Sequence, residues 1–365
     1  MSDSIQSLFK GLAKAMEDDK NANLFGASDI RMPSHIPRGI LTRQPMFDLT
    51  LGREGIPIGK IIEFFGFERS GKTTSAYHII AQCQRGGGTA LFIDTESGFD
   101  PVRAKECGCA VDGDSLQVVA AKTVDAVFRT IDSFLKVLKD NDFQNDVLIV
   151  VDSITAVESE MIQKEKETWK AVNQLGADAR TIRSGIRHTW NKMADQKVTT
   201  IFINHAIANM ATFGKQSQAS GGHALKLAAS LRVEFKNEGE FLEEKKGKDD
   251  ADRERYGQKV KVTFEKLKGA KMRKMTYSTL LLNDGGFDSI GQLLEASMKI
   301  GLIKKMNNVT YSIVNRNNGE EVDSFTKPQW PDWVNSHGGF DEAYKWFLAH
   351  AKATGAILPW GVAEE

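Results

Sequence analysis

The sequence predicts an α/β fold built on a mostly parallel central sheet. Three observations predict it. Apolar runs of strand length recur at residues 61–65, 89–94, 147–151 and 198–203, continuous rather than alternating, as buried parallel strands require. Helical stretches separate them, the clearest being the amphipathic run 124–139. The first apolar run breaks at a glycine into Gly66-Phe67-Glu68-Arg69-Ser70-Gly71-Lys72-Thr73, the spacing of a phosphate-binding loop, and a helix follows to about Arg85.

That loop organises the chain. Polyphosphate must be held by fixed dipoles, and the backbone N–H groups of such a loop, with the helix N-terminus behind it, supply them. Gly66 and Gly71 permit the turn and the close approach. Lys72 is placed to reach the β- and γ-phosphates of a bound triphosphate, and the Thr73 hydroxyl to ligand Mg²⁺.

Composition sets the class. The 365 residues are 41% hydrophobic and 26% charged, ordinary for a soluble globular protein with one large core and smaller appendages. No apolar stretch approaches a membrane span, and the polar first twenty residues do not resemble a secretion signal. Lys+Arg and Asp+Glu both total 48, so no global field attracts nucleic acid, and DNA binding needs a local basic surface. Three cysteines, Cys83, Cys107 and Cys109, lack zinc spacing and suit a reducing, cytoplasmic setting.

In chain order, residues 1–24 read as a helix with apolar positions at Ile5, Leu8, Leu12 and Met16, able to dock on its own core or on another subunit. Residues 25–45, rich in Gly, Pro and Ser, read as a linker. The expected organisation is an N-terminal arm and linker (1–35), a core (36–285) and a small α+β C-terminal domain (286–365) with an aromatic-rich centre around Trp330, Trp333 and Phe347.

Acids stand at the ends of two core strands. Glu96 follows the 89–94 run, where α/β sheets place ligands, and position alone leaves it either a water-orienting residue or a surface acid. Asp152 ends the third run and would hold the Mg²⁺ shell opposite Thr73. Arg180, Arg183 and Arg187 share one helix face, which by itself reads as solvated. Residues 206–222 form a long Gly/Ser/Gln/Ala-rich loop, residues 240–256 a charged hairpin excursion, and Lys266, Lys268, Lys271, Arg273 and Lys274 a basic run.

These stretches resemble the RecA family of recombinases. The resemblance lies in residues 52–74 (GREGIPIGKIIEFFGFERSGKTT), 92–108 (FIDTESGFDPVRAKECG), 146–155 (DVLIVVDSIT), 201–205 (IFINH) and 220–233 (SGGHALKLAASLRV), in family order and spacing. It implies a RecA-like ATPase core. ATP would contact Gly66, Glu68, Arg69, Ser70, Gly71, Lys72, Thr73 and Thr74 on the phosphate side, and Asp100 and Arg103 at the base. The resemblance makes Glu96 the catalytic glutamate, and Lys266 and Lys268 a pair reaching a neighbour's γ-phosphate in the manner of an arginine finger. It also implies DNA contacts at Trp169, Lys170, Arg180, Arg187, Phe213 and Gly214, with Gly221 and Gly222 closing the second loop, which reverses the solvated reading of the arginines.

Two positions depart from the family pattern. His205 stands where a glutamine is usual, as in phage-type recombinases similar to UvsX, and would make signalling between γ-phosphate and DNA loop pH-dependent. Arg103 replaces an aromatic that stacks on adenine. The resulting expectation is an ATP- and Mg²⁺-dependent strand-exchange protein, filamentous on single-stranded DNA and pairing it with homologous duplex, in the cytoplasm, with mediator and single-strand-binding proteins as further partners. The alternatives are a ring helicase on the same core and a non-exchanging recombination mediator or scaffold.

Overall fold

The computed structural model describes residues 39–167, 176–208, 217–219, 223–245, 253–268, 275–314 and 320–360. The expected N-terminal helix lies outside them. The stretch read as linker ends earlier than expected. Strand β1 (Gly39–Ile40) pairs antiparallel with β2 (Ile56–Pro57), and helix α1 (Pro45–Leu51) stands between them. Pro45 suits the first helical turn, where its missing N–H costs nothing, and Gly52 in the left-handed region closes the helix.

The core then alternates as expected. Strand β3 (Ile61–Gly66) leads through the phosphate loop to α2 (Lys72–Arg85), β4 (Thr89–Asp94), α3 (Pro101–Glu106), β5 (Leu116–Ala120), α4 (Val124–Asp140) and β6 (Val147–Asp152). Helices α5 (Glu160–Glu167) and α6 (Ala177–Asp195) precede β7 (Val198–Ala208). Strand β8 (Ser217–Ala219) pairs antiparallel with the end of β7, so the base of the 206–222 stretch is a hairpin where a structureless loop was expected. Helix α7 (His223–Ala228) leads to β9 (Leu231–Lys245), β10 (Arg253–Leu267) and β11 (Met275–Leu282).

The strand order is β11-β10-β9-β3-β7-β6-β4-β5, with β8 on β7. From β9 to β5 every pairing is parallel; β10 and β11 add an antiparallel edge. The parallel strands therefore end along one edge, and the loops leaving β3, β4, β6 and β7 meet there. The buried stripe of α4 (Val127, Phe128, Ile131, Leu135) packs with Ile182 and Ile186 of α6 over that sheet. In β6 Val147, Leu148, Ile149, Val150 and Val151 are all buried, each contributing about 1.5–3 kcal/mol, which holds its terminal acid in place against desolvation.

Beyond β11 come α8 (Ser289–Lys299), an antiparallel sheet of β12 (Ile303–Lys305), β13 (Thr310–Val314) and β14 (Glu321–Thr326), then α9 (Trp330–Ser336) and α10 (Gly339–Ala353). The expected aromatic centre is a stack, Phe325 to Trp330 at 5.0 Å and Trp330 to Trp333 at 5.3 Å between ring centres. This segment is fastened to the start of the core. Arg43 pairs with Asp341 at 2.5 Å, and the Tyr344 hydroxyl donates to the buried Asp48 carboxylate. The described residues all belong to one compact unit.

Candidate nucleotide-hydrolysis site

The phosphate loop is shaped by close approach. A Cβ on Gly66 would lie 2.0 Å from the Phe235 carbonyl of β9, and one on Gly71, at φ +90°, 2.7 Å from the Phe287 ring. Ser70 braces the turn by donating to the Phe67 carbonyl at 2.7 Å. Lys72, buried at the first position of α2, donates from Nζ to the carbonyls of Gly66 (3.1 Å) and Phe67 (2.7 Å). Burial lowers its pKa, while the charges of Asp152, Glu96 and Glu68 oppose that shift.

The acids converge on the same edge. The Thr73 hydroxyl donates to Asp152 Oδ2 at 2.6 Å, joining the helix start to the end of β6. Burial pushes Asp152 up to about 6 against that hydrogen bond. Asp94 holds the loop after β4 by accepting from the N–H groups of Glu96, Gly98 and Phe99. Thr95 and Ser153 exchange two hydrogen bonds across β4 and β6, and the peptide between Asp152 and Ser153 is cis.

Glu96 is the meeting point. Its Oε1 accepts from Ser153 Oγ at 2.5 Å and lies 2.7 Å from His205 Nε2 at the end of the β3–β7 pairing. The His205 hydrogen bond is the largest cause of a lowered Glu96 pKa; burial opposes it, and Ser153 and the charges of His205 and Lys72 add to it. Some 38% of the Glu96 side chain stays exposed, so water reaches an acid held ionised. The oxygen donors of Thr73 and Asp152 are of the kind Mg²⁺ selects, with phosphate and water oxygens able to complete its shell. Among the described residues no cluster of three or more His, Cys, Asp or Glu side chains could hold a metal unaided.

A cavity of about 660 Å³ extends from Lys72 and Thr73 to Arg103, Leu282 and Asn283, within the size range of small-molecule sites. Arg103 donates to the carbonyls of Asn283 and Leu282 and pairs with Glu106 at 3.2 Å. Asp100 caps α3 by accepting from the Arg103 N–H at 3.0 Å. Glu68 and Arg69 are exposed at the rim, and Thr74 is buried beneath the loop.

Sequence reasoning missed two features. The first is a buried ionic chain under the site: Thr155 donates to Asn204, Asn204 to Glu63, and Arg232 to Glu63 and Glu265, with the Arg232 guanidinium 4.6 Å over the Phe65 ring. A signal existed at one end only: Glu63 interrupts the apolar run 61–65, and a buried charge needs a partner, whereas Arg232 falls on an alternating stretch where a charge reads as solvent-facing. The second is the place of the β9–β10 hairpin: the hairpin was expected, but as a solvated excursion, and it walls the cavity, with Asn237 donating to Gln258 and Gln258 to the Arg69 carbonyl.

The remaining candidates lie apart. Lys266 pairs in register with Arg232, and Arg232 with Glu63, so Lys266 lies toward the start of β3 while the phosphate loop leaves its end. Lys266 donates to the Lys226 and Leu227 carbonyls at the end of α7, Lys268 to that of Leu227, and burial brings Lys266 down to about 8. Arg180 and Arg187 are exposed on α6. Trp169, Lys170, Phe213, Gly214, Gly221 and Gly222 lie outside the described residues.

Fold and site together define an α/β nucleotide-binding protein of the phosphate-loop class. The family model described as the RecA N-terminal domain matches residues 32–285. The chain is 33% identical over 271 residues to Protein RecA of Fusobacterium nucleatum, covering 74% of this chain and 65% of that one. It is 31% identical over 260 residues to Protein RecA of Acidiphilium cryptum, covering 71% and 70%. Against Protein RecA of Ureaplasma parvum it is 34% identical over 262 residues, covering 71% and 72%. The chain belongs to the RecA family. Among the described residues no helix is long and apolar enough to cross a membrane.

Proposed function

We propose that this chain polymerises on single-stranded DNA, pairs it with homologous duplex and exchanges strands, with ATP hydrolysis stimulated by the DNA. The observation that carries the reading is the Glu96–His205 contact at 2.7 Å. His205 sits on β7, the strand that runs into the 206–222 stretch expected to grip DNA, so the acid and that stretch share one element.

Lys72, the loop N–H groups and the α2 N-terminus bind the triphosphate. Thr73 and Asp152 would hold Mg²⁺, which when bound neutralises charge between the β- and γ-phosphates. Glu96, ionised and steadied by Ser153, orients the attacking water in line with the γ-phosphate. His205 shares Glu96 with that water, so a change at the DNA stretch alters how Glu96 is held. Lys266 and Lys268 act on the next subunit's ATP, and their subunit interface is heterologous and open-ended. Mediator and single-strand-binding proteins would be the accessory partners, in the cytoplasm.

The test is ATP hydrolysis with and without single-stranded DNA, beside Lys72→Ala and Glu96→Gln. Stimulation by DNA that both variants abolish supports the reading. Hydrolysis indifferent to DNA overturns the coupling through His205.

A further inference from the structure

The nucleotide cavity has a wall that neither the phosphate-loop motif nor the matched stretches assign. Hairpin β9–β10 continues past the loop, and two of its side chains face the cavity as a pair: the Arg255 guanidinium lies 4.1 Å over the ring of Phe241. Phe241 is 46% exposed, unusual for a phenylalanine on a well-paired strand. The pair is anchored by Asn283, which also lines the cavity. Asn283 donates from Nδ2 to the Arg255 carbonyl at 2.6 Å and from its N–H to the Tyr256 carbonyl at 2.8 Å. Asn283 also accepts from Arg103. One residue, Asn283, thus ties Arg103 on one side and Arg255 on the other.

We infer that Arg255, backed by Phe241, forms the second wall of a base slot whose first wall is Arg103, and that the purine of ATP stacks on its guanidinium. The inference rests on the cavity being the ATP site. Arg103 has its N–H groups committed to the carbonyls of Leu282 and Asn283 and to Glu106, which fixes its plane at the slot. A guanidinium stacked on an aromatic ring is weakly hydrated and presents a flat cationic face, which suits a purine better than an ammonium would. The hairpin is held over the phosphate loop by the Asn237–Gln258–Arg69 hydrogen bonds, so the wall is positioned before nucleotide arrives.

The experiment compares equilibrium binding of ATP with that of tripolyphosphate, which has no base, in the full chain and in Arg255→Ala, Arg255→Lys and Phe241→Ala, each checked for an unchanged thermal midpoint. The expected result is ATP affinity lower by about tenfold in Arg255→Ala and Phe241→Ala, with tripolyphosphate affinity unchanged. Arg255→Lys restores little, because charge without a plane does not stack. Equal losses for ATP and tripolyphosphate would overturn the slot, since Arg255 would then act through charge alone. Unchanged ATP binding in all three variants would overturn it too. Failure of the unsubstituted chain to bind either ligand would refute the ATP-site reading itself, a different result from failure of the slot.

Discussion

His205 Nε2 and Glu96 Oε1 stand 2.7 Å apart, joining the end of β7 to the loop after β4. Two strands that are not neighbours in the sheet are bridged there by a titratable pair, over the end of β6 that separates them.

If Glu96 orients the attacking water as proposed, the pair makes the acid limb of the hydrolysis profile depend on His205. Hydrogen bonding to His205 is the first cause of the lowered Glu96 pKa, so its loss lets that pKa rise toward the ordinary glutamate value. His205→Ala is therefore expected to move the acid limb of kcat to higher pH and to lower kcat by about tenfold or more. His205→Gln, which keeps a hydrogen-bond donor, should restore most of the rate. An acid limb that stays in place in His205→Ala would show that His205 does not set the state of Glu96.

Asp48 gives stability its own pH dependence. Burial raises it from 3.8 to about 7, although the Tyr344 hydroxyl and the Thr42 N–H both favour the charged form. The folded chain thus keeps a proton that the unfolded chain has already released between those values. Stability falls as pH rises through that window and levels off above about 7. Urea midpoints measured from pH 4.5 to 8 on the unmodified chain and on Asp48→Asn should show the decline only in the former. Parallel curves would mean that Asp48 is not the proton-holding group.

The buried chain beneath the site should be fragile in a graded way. The Glu63 side chain is 1% exposed, Arg232 6% and Glu265 13%. Removing one partner of a fully buried pair strands the other charge and costs about 3–5 kcal/mol, whereas a partner nearer water costs less. Glu63→Gln is expected to destabilise more than Glu265→Gln in denaturant titrations. The reverse order would place the main countercharge of Arg232 at Glu265.

What could be read in the sequence was what is local. The phosphate loop, its strand and its helix lie in consecutive residues, so spacing alone located Lys72 and Thr73. Asp152 was legible because buried parallel strands end at the ligand edge. Glu96 was undecided by position because what sets it apart, Ser153 and His205, arrives from β6 and β7. The β9–β10 hairpin read as a solvated excursion because its composition is charged; only strand register brings Gln258 to the Arg69 carbonyl. The base of the 206–222 stretch was missed as a strand because Ser217, Gln218 and Ala219 carry no β pattern, and pairing with β7 supplies the order.

Lys266 and Lys268 yield the sharpest test of a shared site. Register places Lys266 level with Glu63, three residues before the Gly66 end of β3, and the Lys268 N–H bonds Ser230, whose own N–H bonds Ile61. In one chain these lysines face the start of β3, away from the loop they are proposed to serve. If they act on a neighbour, a Lys72→Ala chain still offers working lysines, and a Lys266→Ala/Lys268→Ala chain still offers a working phosphate loop. Each is expected to be nearly inactive alone. Mixed one to one, they should regain roughly a quarter of normal DNA-stimulated hydrolysis, the share of random head-to-tail contacts that pair the two intact halves. If the lysines instead serve their own chain, every active site in the mixture stays defective and no activity returns.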